Sequence, residues 1–172
     1  MQKSILVLLL GLMVISCQSI PEKAKAVSDF ELEQYLGKWY EIARLDFKFE
    51  KDLDNTTAFY SLNENGTVKV LNKGFNTIKQ SWQEAEGKAK FRGKDDIGEL
   101  EVSFFGPFYS GYNVVAITPD YEFALVFGSS LKYMWILSRT PKLKESVKTE
   151  FLKLASSVGY DTSQLVWVNH NQ

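Results

Sequence analysis

From Lys38 onward the sequence consists of short strand-like segments separated by turn residues, and this pattern restricts the fold more than any other feature. Strands are predicted at residues 39–45, 56–62, 67–74, 80–91, 98–105, 112–117, 122–127 and 133–138. Asn65-Gly66 predicts a tight hairpin between the second and third strands, and Gly106-Pro107 marks a later turn. Such a chain predicts an all-β sandwich or an eight-stranded antiparallel up-and-down barrel with room for one small ligand.

One helix is predicted after the eighth strand. Thr140 is a suitable N-cap, Pro141 fits the first helical turn, and Gly159 is placed to end the helix. The apolar side chains of this segment recur at three- and four-residue spacing and form one stripe: Leu143, Val147, Phe151, Leu154 and Val158. We expect this stripe to pack on the outside of the barrel. A last short strand is predicted at residues 164–168.

Residues 1–16 have the organisation of a secretory signal. Lys3 precedes the apolar run 5–15, which is too short to be read as a spanning helix. The four residues 14–17, Val-Ile-Ser-Cys, resemble the lipobox of bacterial lipoproteins. That resemblance implies cleavage before Cys17 and lipidation of its thiol. The alternative is an ordinary signal peptide whose mature chain begins near a cysteine.

The residues after the signal predict an anchor followed by one domain. Residues 17–28 are interpreted as the lipidated cysteine and a polar tether, and residues 29–172 as the barrel with its C-terminal helix. By resemblance to lipoproteins, Gln18, in a position where Asp favours retention at the inner membrane, suggests sorting to the outer membrane. We expect a lipid-anchored protein that faces the periplasm.

Composition excludes several classes of function. The chain has 20 basic and 21 acidic residues, so it lacks the positive field that binding to nucleic acid requires. Cys17 is the only cysteine, which leaves no partner for a disulfide within the chain. His170 is the only histidine and lies near the C-terminus, which argues against a Ser-His-Asp relay or a His-ligated metal. No metal site and no cofactor are predicted.

Three sequence motifs resemble those of the lipocalin family. Gly37-Lys38-Trp39 at the start of the first strand matches the family's G-x-W motif. Asp120-Tyr121 before the seventh strand resembles the second motif, T-D-Y, with Pro119 in place of the threonine. Arg139 at the end of the eighth strand matches the third. The resemblance covers the mature chain and implies the barrel rather than the sandwich.

The motif residues are expected to have structural roles. Trp39 would fill the closed end of the barrel, and Arg139 could stack its guanidinium on the indole ring. The proline at position 119 removes one hydroxyl, which puts any hydrogen bond of that motif in question. Glu41 shares the parity of Trp39, and a buried carboxylate needs a partner. Arg139 or a tyrosine hydroxyl is the simplest candidate for that partner.

Alternate residues of each barrel strand face the interior. The parity set by Arg139, with the lipocalin pattern, predicts this lining: Ala58, Tyr60, Val70, Asn72, Ala89, Phe91, Val102, Phe104, Tyr112, Val114, Val126, Tyr133 and Trp135. The same pattern places Ala116 inward. A lining of small and aromatic residues suits an acyl chain, and Asn72, Tyr60, Tyr112 and Tyr133 are candidates to bind its polar head. The charged segment 48–54 is expected to be a solvated loop at the mouth.

These features predict a protein that catalyses nothing and binds a fatty acid or a lysophospholipid for storage or transport in the envelope. Two alternatives remain. One is a lipocalin-fold enzyme that acts on an apolar substrate, and the other is an envelope scaffold whose barrel is filled by its own side chains. The presence of a cavity separates the binding protein from the scaffold. The sequence leaves open whether two barrels pair as a homodimer.

Overall fold

The computed structural model describes residues 19–171, so the predicted signal and Cys17 lie outside the described residues. The strands are β1 Gly37–Leu45, β2 Leu53–Leu62, β3 Val68–Asn76, β4 Ser81–Phe91, β5 Glu99–Phe105, β6 Phe108–Ile117, β7 Phe123–Phe127, β8 Met134–Ser138 and β9 Leu165–Trp167. The helices are α1 Leu32–Tyr35, α2 Glu145–Val158 and the short 3₁₀ turn Thr162–Gln164. Among residues 19–171, no helix has the length and apolar character needed to cross a membrane.

Strands β1 to β8 form a closed antiparallel barrel, as predicted. Each strand pairs with the next, and β1 closes the ring by pairing with both β2 and β8. The first half of β1 contacts β2, and its last residues, 43–45, pair with β9 outside the ring. The predicted hairpin forms at Asn65-Gly66, where Gly66 adopts a positive φ of 77° and Asn63 N–H donates to the Thr67 carbonyl at 2.8 Å.

The helix α2 begins later than predicted. It starts at Glu145, because the Ser138 hydroxyl donates to the Lys142 carbonyl and accepts from the Thr140 N–H, which holds residues 139–144 in a connecting turn. The helix ends at Gly159 as predicted, in the left-handed conformation with φ 115°. Its buried residues pack against the outer face of the barrel: Val147, Phe151, Ala155 and Val158.

The two ends of the barrel have different connections. We call the end at Trp39 the closed end, because α1 and the segment before it cover it. The opposite end, here the open end, carries the connections 46–52, 77–80, 106–107 and 128–133. Antiparallel pairing places the last residue of every odd strand from β1 to β7 at the open end, so these four connections surround one mouth.

Residues 19–28 lie on the barrel wall. The Val27 N–H donates to the Val114 carbonyl at 2.9 Å, and the Gly98 N–H donates to the Val27 carbonyl at 2.9 Å. The Asn113 side-chain amide donates to the Ser19 carbonyl at 2.9 Å. The apolar residue Ala24 is buried in the cluster between barrel and helix. This part of the predicted tether is therefore held against the barrel by backbone pairing and apolar burial instead of standing free.

Candidate functional site

The barrel contains a cavity of about 400 Å³ near its open end. The barrel is therefore not filled by its own side chains, whereas the scaffold alternative requires a filled barrel. Ten of the predicted lining residues border this cavity: Ala58, Tyr60, Val70, Asn72, Ala89, Val102, Phe104, Tyr112, Tyr133 and Trp135. Its volume lies within the range of small-molecule pockets, and most of the lining is apolar or aromatic.

Three predicted lining residues, Phe91, Val114 and Val126, do not border the cavity. They belong to the packed apolar cluster inside the barrel, in which Val114 and Val126 are fully buried. Phe91 packs edge-on against Phe30, with 6.2 Å between ring centroids. Phe30 precedes the barrel strands, and strand parity gives no information on where such a segment enters. Its ring and that of Tyr35 fill this part of the interior.

Trp39 and Arg139 seal the closed end. The Arg139 guanidinium carbon lies 3.9 Å from the centroid of the Trp39 ring, so the expected stacking is present. The guanidinium donates to the carbonyls of Lys38 at 2.9 Å, Gln34 at 2.6 Å and Tyr121 at 3.2 Å. One side chain thus ties α1, β1 and the β6–β7 connection together beneath the cavity.

A neighbouring residue supplies the hydroxyl that Pro119 removes from the second motif. The Thr118 hydroxyl donates to the Asp120 carboxylate at 2.6 Å and accepts from the Phe123 N–H at 3.1 Å. This hydrogen bond lowers the pKa of Asp120. The Tyr121 hydroxyl accepts from the Glu31 N–H at 2.9 Å, so the motif connects the turn to the segment that covers the closed end.

Three tyrosine hydroxyls meet at the floor of the cavity. The Tyr112 hydroxyl lies 2.6 Å from that of Tyr35 and 2.8 Å from that of Tyr60. Burial raises the pKa of all three, so the hydroxyls stay protonated and the cluster stays neutral. Tyr35 was not among the predicted lining residues, because it lies on α1 rather than on a strand.

Glu41 faces the interior as expected, but its partner is Arg44 and not Arg139. The Arg44 guanidinium donates to the Glu41 carboxylate at 2.8 Å, and Thr56 donates to the same oxygen at 3.2 Å. The pairing of β1 with β8 shifts register between Glu41 and Ala43. This irregularity brings side chains three residues apart to the same side, which strict alternation does not predict. Burial nevertheless raises the pKa of Glu41.

The guanidinium of Arg44 is occupied by the protein itself. Besides Glu41, it donates to the Asp46 carboxylate at 3.2 Å and to the carbonyls of Glu50 at 2.7 Å and Leu53 at 3.2 Å. The residue is 1% exposed. Arg44 therefore holds the 46–52 connection against the barrel and has no side open to an anionic ligand.

The 46–52 connection contributes to the cavity, contrary to the expectation of a solvated loop. The Glu50 carboxyl accepts from the Trp135 indole N–H at 3.0 Å, and burial with the nearby Glu41 charge raises its pKa well above the usual range. Phe47 packs perpendicular to Tyr133 and Trp135, with centroids 5.5 and 6.0 Å apart. The feature of the sequence that indicates this inward packing is the pair of aromatic residues, Phe47 and Phe49, among charged neighbours.

One polar atom of the lining is left without a partner. The Asn72 side-chain oxygen is buried and accepts no hydrogen bond from any described residue. Such an atom is a ready acceptor for a donor on a bound molecule. Across residues 19–171, no three His, Cys, Asp or Glu side chains come together in a group that could hold a metal ion.

Comparison with known proteins agrees with the barrel and its motifs. The profile of the lipocalin-like domain matches residues 30–170. Outer membrane lipoprotein Blc of Escherichia coli K12 is 48% identical over 158 residues, 91% of this chain and 89% of that protein. Temperature-induced lipocalin-1 of Arabidopsis thaliana is 36% identical over 84% of this chain and 81% of that protein. The structure of insecticyanin from the tobacco hornworm superposes with a TM-score of 0.70 at 24% identity, over 87% of this chain and 85% of that one.

Proposed function

Because the chain belongs to the lipocalin family, we propose that it holds the acyl chain of a fatty acid or a lysophospholipid in the barrel cavity. The chain is a binding protein and not an enzyme, and its relatives carry no enzyme names. It is a lipid-anchored protein of the outer membrane, like the relatives named outer membrane lipoprotein Blc. The anchor that we infer is the lipidated thiol of Cys17.

The apolar cavity is the observation that carries this proposal. Small side chains such as Ala58, Ala85 and Ala89 leave space along one wall, while Val70 and Phe104 border it with apolar surface. Transfer of an acyl chain from water into such a space contributes about 0.8 kcal/mol for each buried methylene. Binding then needs no specific polar contact along the acyl chain of the ligand. This fits ligands that differ mainly in their head groups.

The polar end of such a ligand would lie at the mouth. Arg44 is fully paired, the tyrosine cluster at the floor is neutral, and Lys73, which also borders the cavity, pairs with Glu84 at 3.1 Å. Within residues 19–171, the lining therefore offers no unpaired cation to a head group. The acceptors that face the space are the Asn72 oxygen and the Glu50 carboxyl. We infer that the acyl tail points down and the head group stays near solvent.

The test compares lipid content in a pair of variants on β4. Ala85 borders the cavity and is the cross-strand neighbour of Asn72. Glu86, in contrast, forms an ion pair with Lys69 on the outer wall. Protein purified from the envelope would be extracted and its lipids identified by mass. Ala85→Trp would displace at least two methylenes of the acyl chain, about 1.6 kcal/mol, and reduce retained lipid more than about tenfold.

The matched variant Glu86→Trp adds the same bulk outside the barrel and should retain lipid as the unchanged protein does. Equal lipid in both variants would mean that the extracted lipid does not come from the cavity. An unchanged protein that is empty, and that shows no saturable binding of fatty acid or lysophospholipid, would exclude the carrier function.

A further inference from the structure

We propose that the open end of the barrel docks on the lipid bilayer, so that the cavity mouth faces the membrane surface. This inference goes beyond the cargo and rests on the proposed function only in taking Cys17 as the membrane anchor. It concerns the four connections at the open end and the direction from which the N-terminal segment reaches the barrel.

Exposed apolar side chains are concentrated around the mouth. Phe49, Ile78, Phe105 and Phe108 are 55%, 76%, 64% and 80% exposed, and we call these four residues the mouth patch. Each lies in or beside one of three open-end connections: 46–52, 77–80 and 106–107. A concentration of exposed apolar side chains of this kind is typical of sites that bind proteins or membranes.

The mouth patch spans the entrance. Phe49 follows β1, and Phe105 precedes the turn between β5 and β6, on the opposite side of the barrel ring. Their rings nevertheless contact, with 5.3 Å between centroids. Both residues also border the cavity. A lipid that enters the cavity from this end therefore passes the same apolar side chains that are exposed to solvent.

Charge distribution favours a bilayer as the occupant. Lysines accompany the mouth patch in the open-end connections: Lys48, Lys51, Lys79 and Lys132. Of the acidic residues in the same connections, Asp46 pairs with Arg44, the Glu50 carboxyl accepts from the Trp135 indole, and Asp52 is exposed, so the lysines are in excess. The Lys48 ammonium lies 4.6 Å above the Phe49 ring, an arrangement in which an aromatic body enters the interface while the cation meets lipid phosphates. At the closed end, Asp95 and Asp96 in the 92–98 connection are balanced by Arg92 and Lys94, and the 118–122 connection is acidic, with Asp120 and Glu122. Two copies meeting mouth to mouth would bring like charges together, which disfavours a second copy as the occupant.

The N-terminal segment meets the barrel wall at β6, nearer to the mouth than to the closed end. Ser19 is held by the amide of Asn113 and lies against Gly111 on β6. From Gly111, β6 runs three residues to Phe108 at the mouth, about 10 Å, and six residues to Ile117, about 20 Å. One residue, Gln18, lies between Cys17 and Ser19, so the two are at most about 7 Å apart. An anchor at Cys17 can therefore come to within about 3 Å of the mouth level, but no nearer than about 13 Å to the closed end.

The first test uses the lipoprotein with its native anchor in vesicles of phosphatidylethanolamine and phosphatidylglycerol. A polarity-sensitive dye is attached to one introduced cysteine, because lipidation leaves the Cys17 thiol unavailable. Ile78→Cys places the dye in the mouth patch, and Phe59→Cys places it at a half-exposed position on the outer wall of β2. Brominated acyl chains should quench the dye at position 78 and not at position 59.

A dye at position 78 that is quenched no more than the dye at 59, on protein that remains attached to the vesicles, would overturn the proposal. So would a blue-shifted emission at 78 without quenching by bromine, because a second copy would then cover the patch. Quenching at 78 in protein whose cavity carries no lipid would support docking and exclude the proposed cargo.

A second variant tests whether docking on the bilayer speeds the uptake of lipid into the cavity. Ile78 does not border the cavity, so Ile78→Asp leaves the lining intact. The loss of one apolar side chain from the membrane contact should slow lipid uptake from vesicles roughly tenfold, with unchanged equilibrium binding of lipid added in detergent. Phe59→Asp is the matched control and should load at the original rate. Equal rates in both variants would contradict the proposal.

Discussion

The closed and open ends of this barrel are formed by the same eight strands, but the closed end is filled with packed side chains and the open end contains a cavity. At the closed end Trp39 and Phe30 are buried in one apolar cluster, the Arg139 guanidinium stacks on Trp39, and its donors satisfy the surrounding carbonyls. At the open end, small side chains leave a cavity, and Glu50 of the covering 46–52 connection accepts a hydrogen bond from the Trp135 indole on β8. The closed end thus contributes to stability, and the open end is available for binding.

The largest expected effect tests the closed end. Trp39 is 0% exposed, and replacement by alanine leaves a large void in rigid surroundings. Trp39→Ala should lower the free energy of unfolding by about 3–5 kcal/mol, measured by urea denaturation. Trp82→Ala removes an exposed indole at the open end of β4 and should change the same quantity by about 0.5 kcal/mol or less. Equal losses would mean that stability is not concentrated at the closed end.

A second prediction concerns pH and the open end. The raised pKa of Glu50 means that the folded protein keeps a proton which the unfolded chain has already released. Stability should therefore fall as the pH rises from the ordinary glutamate pKa towards the raised one, by up to about 1.4 kcal/mol per pH unit. Glu50→Gln should remove this loss, seen as a smaller change of unfolding free energy across a pH series.

Glu41, whose pKa is also raised by burial and whose charge contributes to the shift at Glu50, stays in the variant, so part of the pH dependence should persist. Asp95→Asn at the closed end, an exposed site, serves as the control and should keep the pH dependence of the unchanged protein. Identical pH profiles for the Glu50 variant and the unchanged protein would show that Glu50 ionises normally in the folded state.

The smallest expected effect lies at the boundary between the two regions. Tyr112→Phe removes the hydroxyl that joins Tyr35 and Tyr60, leaving two buried groups with one partner fewer. The free energy of unfolding should fall by about 1 kcal/mol. Tyr109→Phe, on the same strand at the open end, is the control and should be nearly neutral. A loss in both variants alike would mean that the cluster has no special role.

Strand alternation predicted the inward-facing residues correctly where the pairing between strands is regular and incorrectly where the pairing shifts register. β3 and β4 pair without a shift from Val68–Ala89 to Asn76–Ser81, so the long fourth strand keeps its alternation, and Asn72 and Ala89 border the cavity. Between Val114 and Ala116 the pairing of β6 with β7 shifts register. Ala116, predicted to face inward, packs with the outer cluster beneath α2 instead. Bulges depend on pairing across strands, which one strand's sequence does not encode.

The sequence by itself determined the approximate positions of the strands, the turns and the outer helix α2, because these depend on local periodicity and on turn chemistry. The resemblance to lipocalins added the barrel order and the motif residues. Only the tertiary structure decided which inward residues border a cavity and which lie in solid packing. It also decided that Arg44, and not Arg139, pairs with Glu41, and that exposed Phe49, Phe105 and Phe108 lie together at the mouth. Those outcomes depend on segments far apart in the chain meeting at one place, and no local pattern carries that information.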